Sequence, residues 1–218
     1  MFEYEKNPDE ITRLSFELIR QEVDVSKISN DIIPIALRMI HTSGMTDLLP
    51  DLMHSTDAGL IGKQAIQSGA NILTDVRMVE KGISKKHIPN TNRIICMLDT
   101  PISSEDRQSL RKTRTMMALE ANLPLLEGAI VAIGNAPTAL FRLIELIAEY
   151  KVLPALVVAT PPGFVGAAES KEALIKNEYQ IPYITIRGRR GGSAMAAAAI
   201  NALTNIESNI KDIGLISN

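Results

Sequence analysis

Between positions 72 and 186 the chain repeats one pattern: a short apolar run of strand length, then a longer segment with helical spacing. The runs are 72–74, 93–98, 129–133, 155–159 and 183–186. They are continuously apolar rather than alternating, which is the pattern of strands buried on both faces. The helical segments that follow are 76–81, 103–121, 137–150, 165–177 and 194–206. The alternation predicts a three-layer α/β/α fold around a mainly parallel sheet of about five strands. The first 69 residues read differently, as a helical section with helices over 7–23, 30–43 and 55–68, the last closing at Gly69. In the first of these, Leu14, Leu18 and Ile19 are the expected buried stripe. The α/β core then spans about 70–206, and 207–218 reads as a loosely held tail. No internal repeat, low-complexity stretch or linker divides the chain, so 1–218 is expected to be one domain.

Composition narrows the chemistry. The chain has 218 residues, three histidines, one cysteine and no tryptophan. A chain of this length can bury roughly 70% of its unfolded surface and needs no disulfide or metal to fold. Cys96 lies inside an apolar run and reads as a buried strand residue, consistent with a reducing cytoplasm rather than a redox role. The balance of 23 basic and 25 acidic residues, net charge −2, does not describe a nucleic-acid binder or a membrane-surface binder. No apolar run approaches the roughly 20 residues of a membrane span, and the N-terminus lacks the order of a signal peptide. The reading is a cytoplasmic protein.

In an open parallel sheet, ligands bind beyond the carboxyl ends of the strands. Three strand-to-helix loops here are rich in small residues: 134–138 with Asn135, 160–168 with Gly163, and 187–193 with Arg187, Arg189 and Arg190. Small residues let a ligand approach the backbone, and helix N–H groups attract anions. Three arginines add planar forks suited to carboxylate or phosphate. Turn requirements alone account for any single loop. Neither 59–63 nor 188–192 has the spacing of a phosphate or dinucleotide fingerprint, and no Gly-x-Ser-x-Gly elbow occurs. The three histidines and Cys96 offer no metal-ligand spacing, so no metal site is expected.

Two helical segments carry the remaining candidates. The second is expected to be capped by Ser29 or Asn30 and to place Arg38 and His41 at i and i+3 on one face. A cation beside a titratable imidazole suits an anionic substrate; a capping histidine next to Gly44 explains the same residues. Ser15, on the first helix, lines either solvent or a cleft. Asp75 directly follows the first strand and serves equally as a ligand-end residue or a helix cap. Within 103–121, the positive run 111–114 is either a solvated face or an arm toward a substrate carboxylate, in this subunit or a neighbour. His54 and His87 read as exposed residues of connections.

Taken together, Arg38-Met39-Ile40-His41, the segments 132–140 and 163–171, and Arg187-Gly188-Arg189-Arg190-Gly191-Gly192-Ser193-Ala194-Met195 resemble the precorrin-8X methylmutase family and its cobalt-precorrin-8 counterpart. The resemblance runs over nearly the whole chain. It implies an isomerase of cobalamin biosynthesis that moves a methyl group from carbon eleven to carbon twelve of a contracted tetrapyrrole, with no cofactor. It also implies His41 as the catalytic residue, Ser15 and Arg38 as substrate contacts, and a homodimer binding a tetrapyrrole with several carboxylates. Thr113-Arg114 matches a family segment implicated in substrate contact, with Lys112 standing where that pattern has asparagine. A non-catalytic corrinoid carrier and a nucleotide-dependent transferase are the competing expectations.

Overall fold

The computed structural model describes residues 2–103 and 111–204. Within them a six-stranded sheet has the order β1-β6-β5-β4-β2-β3. Its strands are β1 (Leu52–His54), β2 (Ile72–Thr74), β3 (Ile94–Cys96), β4 (Ile130–Ile133), β5 (Leu156–Ala159) and β6 (Tyr183–Ile186). All pairings are parallel except β1 with β6. Every residue of the central strands β4 and β5 is buried, as continuous apolar runs require between two helical layers. The sheet therefore has one strand more than expected. The addition, β1, is an antiparallel edge of three residues that carries His54, and it was read from sequence as part of a connection.

The helices are α1 (Pro8–Glu22), α2 (Ile33–Ser43), α3 (Ala58–Gln67), α4 (Arg77–Gly82), α5 (Arg114–Ala121), α6 (Pro137–Tyr150), α7 (Ala167–Ile175) and α8 (Ser193–Thr204). One face of the sheet is covered by α8, with α2, α3 and α4 packed around it. The other face carries α5, α6 and α7. Helix α1 lies outside α2 and docks through a small separate cluster of Phe16, Ile33 and Leu37.

Several expectations change here. Phe16 is the buried residue of α1, whereas Leu14 and Leu18 face outward at 37% and 58% exposure. Helix α2 starts at Ile33 with no side-chain cap; Ser29 contributes its carbonyl to the preceding turn. Of the helix expected over 103–121, 104–110 lie outside the described residues, and α5 begins only at Arg114. Arg111 adopts φ 51° and Thr113 is the N-cap, its hydroxyl accepting from the Met116 amide, so the positive run 111–113 precedes the helix. The expected tail, 207–218, also lies outside the described residues, as do 205–206 of the last expected helix.

Candidate active site

Helix α2 ends where Gly44 takes the left-handed conformation, φ 68°, and donates its amide to the Ile40 carbonyl. This fixes His41 in the last turn, where a cation is favoured by the helix dipole. Across from it, Phe16 of α1 touches both candidates. The His41 ring stacks on Phe16 with centroids 5.2 Å apart and planes 20° apart. The Arg38 guanidinium carbon lies 5.0 Å from the same ring centre. Burial, and secondarily the Arg38 charge, hold the His41 imidazole below its ordinary value near 6.5. His41, Ser15, Leu18, Gly44 and Thr46 line an open cleft of about 300 Å³ between α1 and the end of α2. Ser15 donates its hydroxyl to the Ile11 carbonyl at 2.7 Å. The structure thus brings Ser15, Arg38 and His41 together and adds Phe16, one of four phenylalanines in the chain. Its only sequence signal was adjacency to Ser15.

After Gly44 the chain makes a 3-10 turn, Thr46–Asp51, and enters β1. This turn meets the loop 187–193. Arg190 Nη1 donates to an Asp47 carboxylate oxygen at 2.8 Å, and Nη2 donates to the Asp47 carbonyl at 3.0 Å and to Asp51. The His41 segment and the arginine loop therefore share one end of the molecule. The three arginines differ in their commitments: Arg190 ties chain segments together, and Arg187 donates to Glu172 at 2.7 Å. Arg189 is exposed, its guanidinium 5.3 Å from the centre of the Phe164 ring, itself 83% exposed. The Gly163 amide donates to the Arg189 carbonyl.

The carboxyl ends of β2 and β4 form the crevice where successive connections lead in opposite directions along the sheet. Asp75, 1% exposed, fills it. Its carboxylate accepts from the amides of Gly134, Asn135 and Ala136 at 3.0, 2.8 and 2.9 Å. Asp75 therefore does not cap its own helix, whose N-cap is Val76. Burial pushes its carboxyl upward against these donors. The Asn135 side chain is exposed at the rim.

Thr113, the N-cap of α5, and Arg114, its first residue, lie in the layer on the opposite face of the sheet from α2. The Thr113 and Thr138 hydroxyls share a hydrogen bond at 2.9 Å, and Arg114 donates to the Leu98 carbonyl at 2.9 Å. Lys112 pairs with Glu120 at 2.7 Å. His87 is exposed in a short 3-10 turn, and His54, half-buried, lies against the Ser55 carbonyl. Among the described residues, no three His, Cys, Asp or Glu side chains gather as metal ligands, and no helix is long and apolar enough to cross a membrane.

A mostly parallel sheet covered by helices on both faces, with glycine-rich loops at its carboxyl end, is the architecture of an α/β enzyme that takes its ligand at that end. Comparison with known proteins specifies the class. The sequence profile of the precorrin-8X methylmutase family matches residues 10–206, and the chain belongs to this family of isomerases, which catalyse methyl migration in cobalamin biosynthesis. It is 46% identical to the precorrin-8X methylmutase of Pseudomonas aeruginosa, over 93% of this chain and 98% of that one. It is 38% identical to the cobalt-precorrin-8 methylmutase of Priestia megaterium, over 90% and 87%. A crystal structure of the precorrin-8X methylmutase from Thermus thermophilus matches with TM-score 0.81 at 33% identity, covering 96% of this chain and 98% of that one.

Proposed function

We propose that the chain moves a methyl group from carbon eleven to carbon twelve of precorrin-8 or its cobalt form, with His41 as the catalytic residue. The observation that carries this reading is the Phe16-centred cluster, which joins the Arg38 guanidinium to an imidazole that itself lines a cleft and whose pKa is lowered. In the free protein at neutral pH, His41 is predominantly neutral. A substrate carboxylate arriving at Arg38 offsets the positive charge that disfavours the imidazolium, so binding promotes proton uptake at His41. The imidazolium then hydrogen-bonds or protonates a ring nitrogen or the developing enamine-like carbon. Ser15, Asn135, Gly163, Arg187, Arg189 and Arg190 complete the proposed binding surface, with Arg189 as the peripheral carboxylate contact. The rearrangement stays within one molecule and requires no bond to the protein.

Thr113 and Arg114 join this surface in a second copy of the chain. Their placement in the layer opposite α2 supports a homodimer, as does the outward stripe of Ile11, Leu14 and Leu18 on α1. We place the protein in the cytoplasm, where its small-molecule pathway would run. Incubation with metal-free and cobalt-containing precursor, followed by absorbance, tests the reaction. His41→Ala is expected to lower turnover by about 10²–10⁴-fold, while His41→Asn still binds product. A folded His41→Ala protein with full turnover would eliminate the assigned role, and a monomer at micromolar concentration with full activity would eliminate the shared site.

A further inference from the structure

The loop 187–193 is anchored at most of its residues. The Arg187 amide donates to the Asp51 carbonyl at 2.7 Å, the Gly163 amide to the Arg189 carbonyl at 3.1 Å, and the Gly192 amide to the Thr160 carbonyl at 2.7 Å. The Thr160 hydroxyl returns a bond to the Gly192 carbonyl at 3.0 Å. Only glycine fits at 191, where φ is 157° and an added Cβ would lie 2.1 Å from the Thr160 carbonyl oxygen. The remaining anchor is of a different kind. Lys171 of α7 is 0% exposed, and its ammonium donates to the Arg190 carbonyl at 2.7 Å.

A buried ammonium is costly to hold, and an apolar side chain of similar length would fill the space without that cost. Burial pushes Lys171 down to about 8, opposed by the charge of Asp51. Asp51 is also a partner of the Arg190 guanidinium. Arg190 is therefore gripped twice, by Lys171 at its carbonyl and by Asp47 and Asp51 at its side chain. The residue between Arg190 and Gly188 is Arg189, whose guanidinium reaches outward over Phe164.

Resting on the reading of this rim as the substrate site, we propose that Lys171 is a positioning residue. By holding the Arg190 carbonyl it locks the loop, so that Arg189 and Phe164 stand fixed relative to the segment that follows His41. The role is preorganisation: a carboxylate-binding fork held in place before the ligand arrives loses less freedom on binding.

The test compares Lys171→Met with the parent protein in three measurements. Thermal unfolding should show a midpoint no lower than the parent's, because the substitution removes a buried charge. Amide hydrogen exchange over 187–192 should accelerate by at least about tenfold, a loss of local protection. With the tetrapyrrole precursor, KM should rise by about tenfold with kcat within about twofold, the pattern of lost uniform binding. Because Lys171 acts through Arg189, the Lys171→Met/Arg189→Ala protein should show the KM of Arg189→Ala alone. Asp51→Asn, which loosens the same clamp from its exposed side, should give the same pattern, and it decides the matter if Lys171→Met fails to fold. Unchanged exchange at 187–192, or KM effects of the two single variants that multiply, would overturn the proposal. A parent protein that converts neither precursor form would refute the site reading and the functional half with it, while hydrogen exchange would decide independently whether Lys171 holds the loop.

Discussion

Replacing Phe16 with leucine tests the centre of the site, because this ring holds α1 to α2 and lies against both His41 and Arg38. Truncation to alanine would cost about 3–5 kcal/mol for a buried phenylalanine, enough to release α1 altogether. Leucine keeps the apolar contact with Ile33 and Leu37 and removes the ring interactions. Ring stacking contributes about 0.5–1.5 kcal/mol and the cation–π contact about 0.5–1 kcal/mol, so the expected loss is about 1–2.5 kcal/mol. For a chain of this size that is a Tm lower by roughly 2–10 °C. Burial is the larger cause of the lowered His41 value, so NMR titration of the imidazole should show its midpoint moving up toward 6.5. Turnover should fall while the affinity for product changes less. A Phe16→Leu protein with parental Tm, an unmoved His41 midpoint and parental turnover would refute the assignment of Phe16 as the support of the proposed catalytic residue.

Other consequences are measurable. In Arg38→Ala the His41 midpoint should rise but stay below the ordinary value, because burial remains; an unchanged midpoint would show that the two charges do not interact. Since folded His41 binds its proton less readily than the unfolded chain does, its contribution to stability is complete above about pH 6.5 and declines as pH falls below it; urea midpoints of the parent and His41→Asn should diverge accordingly. Lys171 shows the same sign in a more alkaline window. Its folded value of about 8 lies below 10.5, so its contribution to stability increases with pH between these values, and Lys171→Met should flatten that increase. Asp75→Ala strands three buried or part-buried amide donors at roughly 1–2 kcal/mol each, about 3–6 kcal/mol in all. A denaturation midpoint within error of the parent's would contradict the role given to that carboxylate.

The parallel core was legible because buried strands between two helical layers must be apolar throughout, and β2 and β6 have the expected limits. β1 was hidden because it has only three residues and gains its partners, Ile184 to Ile186, from the far end of the chain. Helix α1 shows why periodicity chose Leu14 and Leu18 as buried when they face outward. Ile11, Leu14 and Leu18 form one stripe and Phe16, Ile19 and Val23 form another at the same spacing, and only tertiary contact determines which turns inward. Arg38 and His41 were legible as one face, since three residues of helix bring their side chains together. The ring they share belongs to another helix, so no local pattern pointed to it. Likewise, no local pattern separates Arg189, which faces outward, from Arg190, whose partners Asp47 and Asp51 lie about 140 residues earlier in the chain.

The carboxylate of Asp75 in the crevice between β2 and β4 has an effect on selectivity. In related layered folds that crevice is where a nucleotide phosphate settles on exposed amides. Here the chain supplies its own carboxylate to the amides a phosphate would need. A mononucleotide meets an occupied cradle and a buried negative group, which disfavours the transferase alternative on physical grounds. In the proposed site, acidic ligands are left to the outer rim, near Arg189 and the end of α2, which would hold a broad ring by its edge substituents. With its own carboxylate in that seat, the crevice disfavours a phosphate and leaves the proposed rim to a wider anion.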